Sequence, residues 1–136
     1  MAGRRYLAPL TRDTLADVGL PCRACTRWEL SAVASQRAAA DDTGEAEKAG
    51  WLTGTLLDWG SCGQVVRVDG EVAGYAIYAP AAYLPGLSAY PTAPISPDAV
   101  ALASLRVEPA FASQGLARML VQGMCADLVR RGVRAV

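Results

Sequence analysis

One segment of the chain combines small residues with the start of a helix in a way that suits binding of a phosphate group. Residues 112–117 read Ala-Ser-Gln-Gly-Leu-Ala and lie between an apolar run at 99–107 and an amphipathic run at 115–131. The first N–H groups of a helix have no partner within it, and the positive end of its dipole lies there. Small side chains let a pyrophosphate approach the backbone. The segment is a candidate anion site, and a plain strand-to-helix connection is the alternative.

The segment differs from the two common phosphate-binding motifs. No Lys-Ser or Lys-Thr pair follows Gly115, as a P-loop requires, and the spacing of dinucleotide-binding glycines is absent. The sequence also contains no histidine. This excludes Ser-His-Asp and Cys-His catalysis, and metal ligation by histidine, within these residues.

Four cysteines offer a second kind of chemistry. Cys22 and Cys25 form a C-x-x-C pair, which occurs in dithiol redox sites and as half of a zinc site. A structural zinc needs four ligands, and Cys62 and Cys125 are single and distant in the sequence. A turn, not a strand, is expected before Cys22, unlike the thioredoxin-like arrangement. We predict small buried apolar residues here and no metal site, with a redox dithiol as the alternative.

Charge and hydrophobicity restrict the class of protein. The 136 residues suit one domain, and 13 Lys and Arg balance 13 Asp and Glu, so the basic excess that binds nucleic-acid phosphates is missing. No run approaches the roughly 20 apolar residues that span a membrane. Pro9 interrupts the short apolar stretch in which a signal peptide would continue. We predict a cytoplasmic protein that binds neither nucleic acid nor membrane.

Hydrophobic spacing predicts strands and helices around a central hairpin. Two β-rich runs flank Asp69-Gly70, a pair favoured in two-residue hairpin turns, and both faces of this hairpin are expected to be covered. Residues 22–40 give no firm assignment, and the proline-rich segment 80–97 reads as a long loop. The predicted elements are a strand at 5–10, a helix from Thr11 to before Gly19, a helix from Asp42 to Gly60, strands at 64–68, 72–78 and 99–107, a helix at 115–131 and a strand from Val133.

Apolar residues at helical spacing identify the expected core faces of the helices. For the helix before Gly60 they are Trp51, Leu52, Leu56 and Trp59, and for the helix at 115–131 they are Ala117, Leu120, Val121, Met124 and Leu128.

The strand-loop-helix segment resembles the GNAT acetyltransferase superfamily, whose pattern is a strand ending Val-x-Pro, then Arg/Gln-x-x-Gly-x-Gly/Ala, then a helix. Ala112 stands where that pattern has Arg or Gln. The residues that match it are Val107, Pro109, Gly115, Ala117 and Leu120.

This resemblance implies an α/β (α+β) fold with a mixed, largely antiparallel central sheet flanked by helices, and transfer of an acetyl group from acetyl-CoA to a small-molecule or peptide amine. The pantetheine arm would pair with the backbone of one strand, and the pyrophosphate would lie against the helix start. The residues implied for acetyl-CoA binding are Leu105, Arg106, Val107, Ala112, Ser113, Gln114, Gly115, Leu116, Ala117 and Arg118.

The resemblance assigns no catalytic residue. Glu108, at the end of the strand, is interpreted as a turn residue, although a carboxylate there could deprotonate an amine through water. The side chains that could line the acceptor side are Tyr75, Tyr78, Tyr83, Tyr90, Trp28 and Glu29.

The resemblance also implies a further helix and two strands after Val133. We therefore expect residues 1–136 to form one GNAT-like domain that is incomplete at its C-terminus. Dimerisation or a missing segment would cover the open sheet edge. A non-catalytic CoA-binding or interaction module of the same fold is the alternative function.

Overall fold

The computed structural model describes residues 4–89 and 95–136, and its elements follow the predicted order. The strands are β1 (Arg5–Pro9), β2 (Gly63–Val68), β3 (Glu71–Pro80) and β4 (Val100–Val107). The helices are α1 (Arg12–Leu15), α2 (Ala32–Ala40), α3 (Gly44–Asp58) and α4 (Leu116–Arg130), and short 3₁₀ turns occupy Cys22–Ala24, Ala81–Tyr83, Pro85–Ala89 and Pro109–Phe111.

The four strands form one sheet in the order β1-β2-β3-β4, with every neighbouring pair antiparallel. The hairpin around Asp69-Gly70 supplies the two central strands. The middle of β3 is buried throughout because α3 covers one face of the sheet and α4 the other. The prediction of a largely antiparallel sheet flanked by helices is confirmed.

Alternate residues of the hairpin divide the core between the two faces. Tyr75 and Ile77 pack with Leu52 of α3, whereas Ala76 packs with Leu116 and Leu120 of α4. Trp51, Leu56 and Trp59 are partly buried against the first cluster, and Met124 and Leu128 are buried in a third cluster under α4. One predicted core position is wrong: Ala117 is exposed, and Leu116 occupies the buried position at the start of α4.

Three segments differ from the expectations. The unassigned region contains α2, which Ser31 caps by accepting from the Ala34 N–H. The helix after Thr11 is a single turn, closed by a capping box with Thr14. The strand expected from Val133 does not form, although the Ala135 carbonyl accepts a hydrogen bond of 2.9 Å from the Val100 N–H of β4.

The proline-rich segment is folded against α3 over its first half, where a long loop was expected. Two 3₁₀ turns occupy residues 81–83 and 85–89. Trp51 Nε1 donates to the Tyr83 carbonyl at 2.7 Å, and the Tyr83 hydroxyl donates to Asp58 at 2.6 Å. Tyr90 lies outside the described residues.

A buried ion pair connects Lys48 of α3 to Glu29, and the same lysine binds the turn that carries the C-x-x-C pair. Lys48 Nζ lies 3.4 Å from Glu29 Oε2, and both side chains are 1% exposed. The same ammonium donates to the carbonyls of Cys22 and Cys25 at 3.0 and 2.7 Å and lies 5.4 Å from the centre of the Tyr75 ring. Burial raises the pKa of Glu29, and the positive charge of Lys48 opposes that shift. Lys48 therefore joins three parts of the chain to the sheet.

We expect Lys48→Met to lower the free energy of unfolding by about 3–5 kcal/mol, because Glu29 would stay buried without its counter-charge. The loss should shrink as the pH falls towards 4.5, since a carboxyl whose folded-state pKa is raised favours folding when protonated. Urea unfolding at several pH values measures both effects. The double variant Lys48→Met/Glu29→Gln should recover part of the loss. A Lys48→Met chain with an unchanged urea midpoint would contradict the role given to the pair.

Gly74 permits the close pairing of β3 with the end of β4. A Cβ at this position would lie 2.6 Å from the Arg106 carbonyl oxygen and 3.3 Å from Val107 Cα, and neither backbone atom can move without shifting β4. We expect Gly74→Ala to destabilise the fold by about 1–3 kcal/mol, as overpacking does. Urea unfolding is again the measurement. Gly54→Ala is the matched control, because a Cβ there meets nothing within 4 Å and alanine favours the helix. Equal midpoints for the two variants would refute the steric argument.

Candidate functional site

The C-terminal half of β4 presents main-chain groups at an open edge of the sheet. The Glu108 N–H donates to the Ala73 carbonyl on β3 at 2.7 Å. Because N–H groups alternate between the two edges of a strand, those of Leu105 and Val107 face away from β3, while the main chain of Arg106 faces it. In the described part of the chain no strand pairs with this edge. Such an edge can bind an extended ligand as an added strand.

A β-bulge in β4 precedes the open half of the strand. Ile77 pairs with Ser104 and Tyr78 pairs with Leu102, so Ala103 has no partner on β3. The extra residue reverses which N–H groups face the open edge, and bulges bend a strand locally. The sequence contained no signal for it, since a nearly all-apolar run without Gly or Pro reads as a regular strand.

The connection from β4 to α4 exposes a row of unused N–H groups. Ser113 and Gly115 adopt left-handed backbone conformations, with φ of 64° and 75°. Within residues 4–89 and 95–136, no acceptor pairs with the N–H groups from Ser113 to Arg118. Ala112 and Ala117 are exposed, and their small side chains leave room beside these groups. The arrangement suits an anionic group that accepts several hydrogen bonds at once.

The charges around this connection favour an anion. The helix α4 is 15 residues long and carries the usual positive end of a dipole at its start. Because its first turn has no acidic residue, no side chain there neutralises that charge. Arg118, in that turn, is exposed. Glu108 is turned towards Arg106, with Oε1 4.0 Å from Nε. A phosphate would meet hydrogen-bond donors and no opposing carboxylate in the turn itself.

The side chains predicted to line an acceptor site are dispersed. Tyr75 pairs with Arg106 of β4 and is buried on the α3 face, in the cluster against which Cys22 packs. Tyr78 is buried on the opposite face, where its hydroxyl donates to Asp127 at 2.9 Å. Burial raises the pKa of Tyr75, and it raises that of Tyr78 to about 12. Both phenols are therefore poor proton donors at neutral pH.

The remaining acceptor candidates lie farther along the chain. Tyr83 is tied to Asp58 of α3, and Glu29 is occupied by Lys48. Trp28 is half-buried in the segment before α2, with the Arg27 guanidinium over its ring. The structure thus joins β4 and the start of α4 into one continuous site, and it does not gather these side chains around it.

The prediction of buried cysteines holds at one position. Cys62 is fully buried, Cys22 is half-buried, and Cys25 and Cys125 are exposed. Sequence spacing alone could not separate them, because Cys25 lies at the end of a 3₁₀ turn whose outer side faces solvent. All four are free thiols.

Comparison with known proteins identifies the family to which this fold and this site belong. The model of the acetyltransferase (GNAT) family matches residues 24–136, which is most of the chain. The protein therefore belongs to the GNAT acetyltransferase family. No curated protein matches the sequence.

Solved structures with this fold are distant in sequence. The PaiA N-acetyltransferase of Thermoplasma acidophilum in complex with coenzyme A has a TM-score of 0.59 and 8% identity, covering 96% of this chain and 75% of that one. The aminoglycoside acetyltransferase AAC(6')-Iy with the bisubstrate analog CoA-S-monomethyl-acetylneamine has a TM-score of 0.58 and 16% identity, and the match covers 97% of this chain and 76% of that one. A GNAT family acetyltransferase of Brucella melitensis with acetyl-CoA has a TM-score of 0.55 and 15% identity, and the match covers 97% of this chain and 73% of that one. At these identities the likeness establishes the fold.

Within the described residues, no helix has the length and apolar character needed to cross a membrane.

The thiols should differ sharply in reactivity. We expect iodoacetamide at pH 8 to modify Cys25 and Cys125 quickly, because both are exposed. Cys62 should react only on unfolding, since burial raises its pKa to about 12 and removes access. Peptide mass spectrometry over a time course measures the modified fraction at each site. The urea-unfolded chain, in which all four react, is the control, and equal rates at Cys62 and Cys125 in the folded protein would contradict the burial.

Proposed function

We propose that this chain transfers an acetyl group from acetyl-CoA to the amine of a small molecule or peptide. The observation that carries the proposal is the junction of the open β4 edge with the unused N–H groups before α4, inside the residues that match the family. An extended thiol arm and a pyrophosphate are joined in CoA, and the edge and the helix start follow one another in the chain in the same way.

The predicted site residues take distinct roles in this proposal. The main chain of Leu105 and Val107 binds the pantetheine arm along the open edge. The segment from Ala112 to Ala117 holds the pyrophosphate through its N–H groups, and Arg118 contributes a positive charge. The main chain of Arg106 pairs with β3 and is therefore not available to the pantetheine arm. Its exposed side chain is the part of Arg106 that can contribute to the site. The residues present therefore fit the coenzyme.

Acetyl transfer sets three chemical requirements. The acceptor must present a neutral amine, whose nitrogen bonds to the acetyl carbon while the carbon–sulfur bond breaks. The thioester carbonyl must be polarised, and an outward-facing N–H of β4, such as that of Val107, is suited to this. The proton lost by the amine balances the thiolate released from CoA. Glu108 directly follows the last residue of β4. A water molecule can carry the proton from the amine to such a carboxylate.

The acceptor belongs to the class of amines, as in the aminoglycoside-derived analog bound to AAC(6')-Iy. We also propose a cytoplasmic location, where the four cysteines would stay reduced.

Titration calorimetry with CoA and a thiol-release assay with acetyl-CoA test the proposal. We expect CoA to bind the chain, and free thiol to appear faster when an accepted amine is added. A panel containing an aminoglycoside, a polyamine and an alanine-terminated peptide samples the acceptor class. Failure to bind CoA would refute the proposal. Binding without turnover of any amine would favour the non-catalytic module.

We expect Ala112→Arg to tighten CoA binding about 3- to 10-fold, because it restores the charged residue of the family pattern beside the pyrophosphate. Calorimetry gives the Kd. Ala110→Arg is the matched control. It adds the same charge at another exposed alanine, two residues earlier in the connection. Equal tightening by both variants would show that only overall charge matters and would remove the role given to position 112.

A further inference from the structure

Arg5 of β1 contacts the connection that carries the unused N–H groups. Its Nη1 donates to the Gln114 carbonyl at 2.5 Å, across 109 positions of the chain. Alternation along β1 places Arg5 on the same face as Leu7, which packs with Leu116 and Leu120. The contact therefore follows from the side of the sheet on which α4 lies.

This hydrogen bond fixes the orientation of a peptide unit in the candidate pyrophosphate site. In a trans peptide the carbonyl and the next N–H point in opposite directions. With the Gln114 carbonyl held towards Arg5, the Gly115 N–H points away from Arg5. Gln114 lies between Ser113 and Gly115, both left-handed, and a serine seldom adopts this conformation without support. Arg5 supplies such support from another strand.

Arg5 also retains most of its binding capacity. A guanidinium has five N–H donors, and in the described part of the chain Gln114 is its one hydrogen-bond partner. The described residues place no carboxylate within ion-pair distance of it. Arg5 is exposed and lies outside the residues 24–136 that match the family. The family pattern therefore could not identify it.

We propose that Arg5 is a positioning residue of the CoA site: it holds the Gln114–Gly115 peptide in the orientation that binds the pyrophosphate, from the side of the peptide opposite that group. The inference rests on the proposed function, because the pyrophosphate is its ligand. It adds β1 to a site otherwise built from β4 and α4.

The first test needs no ligand. The ¹⁵N heteronuclear NOE reports nanosecond motion of backbone amides. We expect Arg5→Met to lower it at Ser113, Gln114 and Gly115. Arg4→Met is the matched control: Arg4 is exposed, lies over the Tyr6 ring at 5.6 Å, and carries the same charge at the neighbouring position. Unchanged NOE values in Arg5→Met would overturn the positioning role.

The second test compares CoA with dephospho-CoA, which keeps the pyrophosphate and lacks the 3′-phosphate. We expect Arg5→Met to raise the Kd for both about 10-fold, whereas Arg4→Met changes either by less than about 2-fold. Arg5→Lys should recover part of the affinity, because an ammonium can also donate to the Gln114 carbonyl. Thermal unfolding confirms that each variant is folded.

The outcomes separate this inference from the function on which it rests. Equal Kd values for Arg5→Met and Arg4→Met would overturn the inference and leave CoA binding intact. A loss confined to CoA would place Arg5 at the 3′-phosphate and would overturn its assignment to the pyrophosphate. Absence of CoA binding by the unmodified chain would count against the proposed function, while the NOE comparison would still decide whether Arg5 holds the peptide.

Discussion

The pairing of β3 with β4 is the constraint on which the rest of the structure depends. β3 is buried on both faces and hydrogen-bonded along both edges, so its position is fixed by the whole core. β4 pairs with it on one side, and Val107, the last residue of β4, lies opposite Gly74, where the two strands approach closely. The end of β4 in turn sets the place from which the chain enters α4. One antiparallel register thus aligns both halves of the candidate site.

The elements that sequence predicts well are those whose signals are local. Asp69-Gly70 predicts the central hairpin because only a few residue types allow its backbone angles, and both residues have positive φ. Gly115 predicts the start of α4 for the same reason. The family resemblance rests on the second of these features and on the apolar strand before it.

The features that sequence could not provide depend on contacts between distant parts of the chain. The bulge at Ala103 arises from the register with β3, and Arg5 reaches Gln114 only because α4 packs on one particular face of the sheet. The exposure of Ala117 depends on how α4 is rotated about its axis. The spacing of apolar residues in the sequence allows either Leu116 or Ala117 to face the core. Spacing along one segment cannot report any of these, since each needs a second segment in place.

The burial of Lys48 has a consequence for a protein that handles an activated acetyl group. Lys48 is the only lysine in the sequence, and its ammonium is enclosed by Glu29 and two carbonyl groups. Every other basic side chain is an arginine, whose guanidinium stays protonated and is not nucleophilic at neutral pH. Residues 1–136 therefore offer no exposed lysine side chain to an acetyl thioester. Self-acetylation of lysine has no accessible target within them.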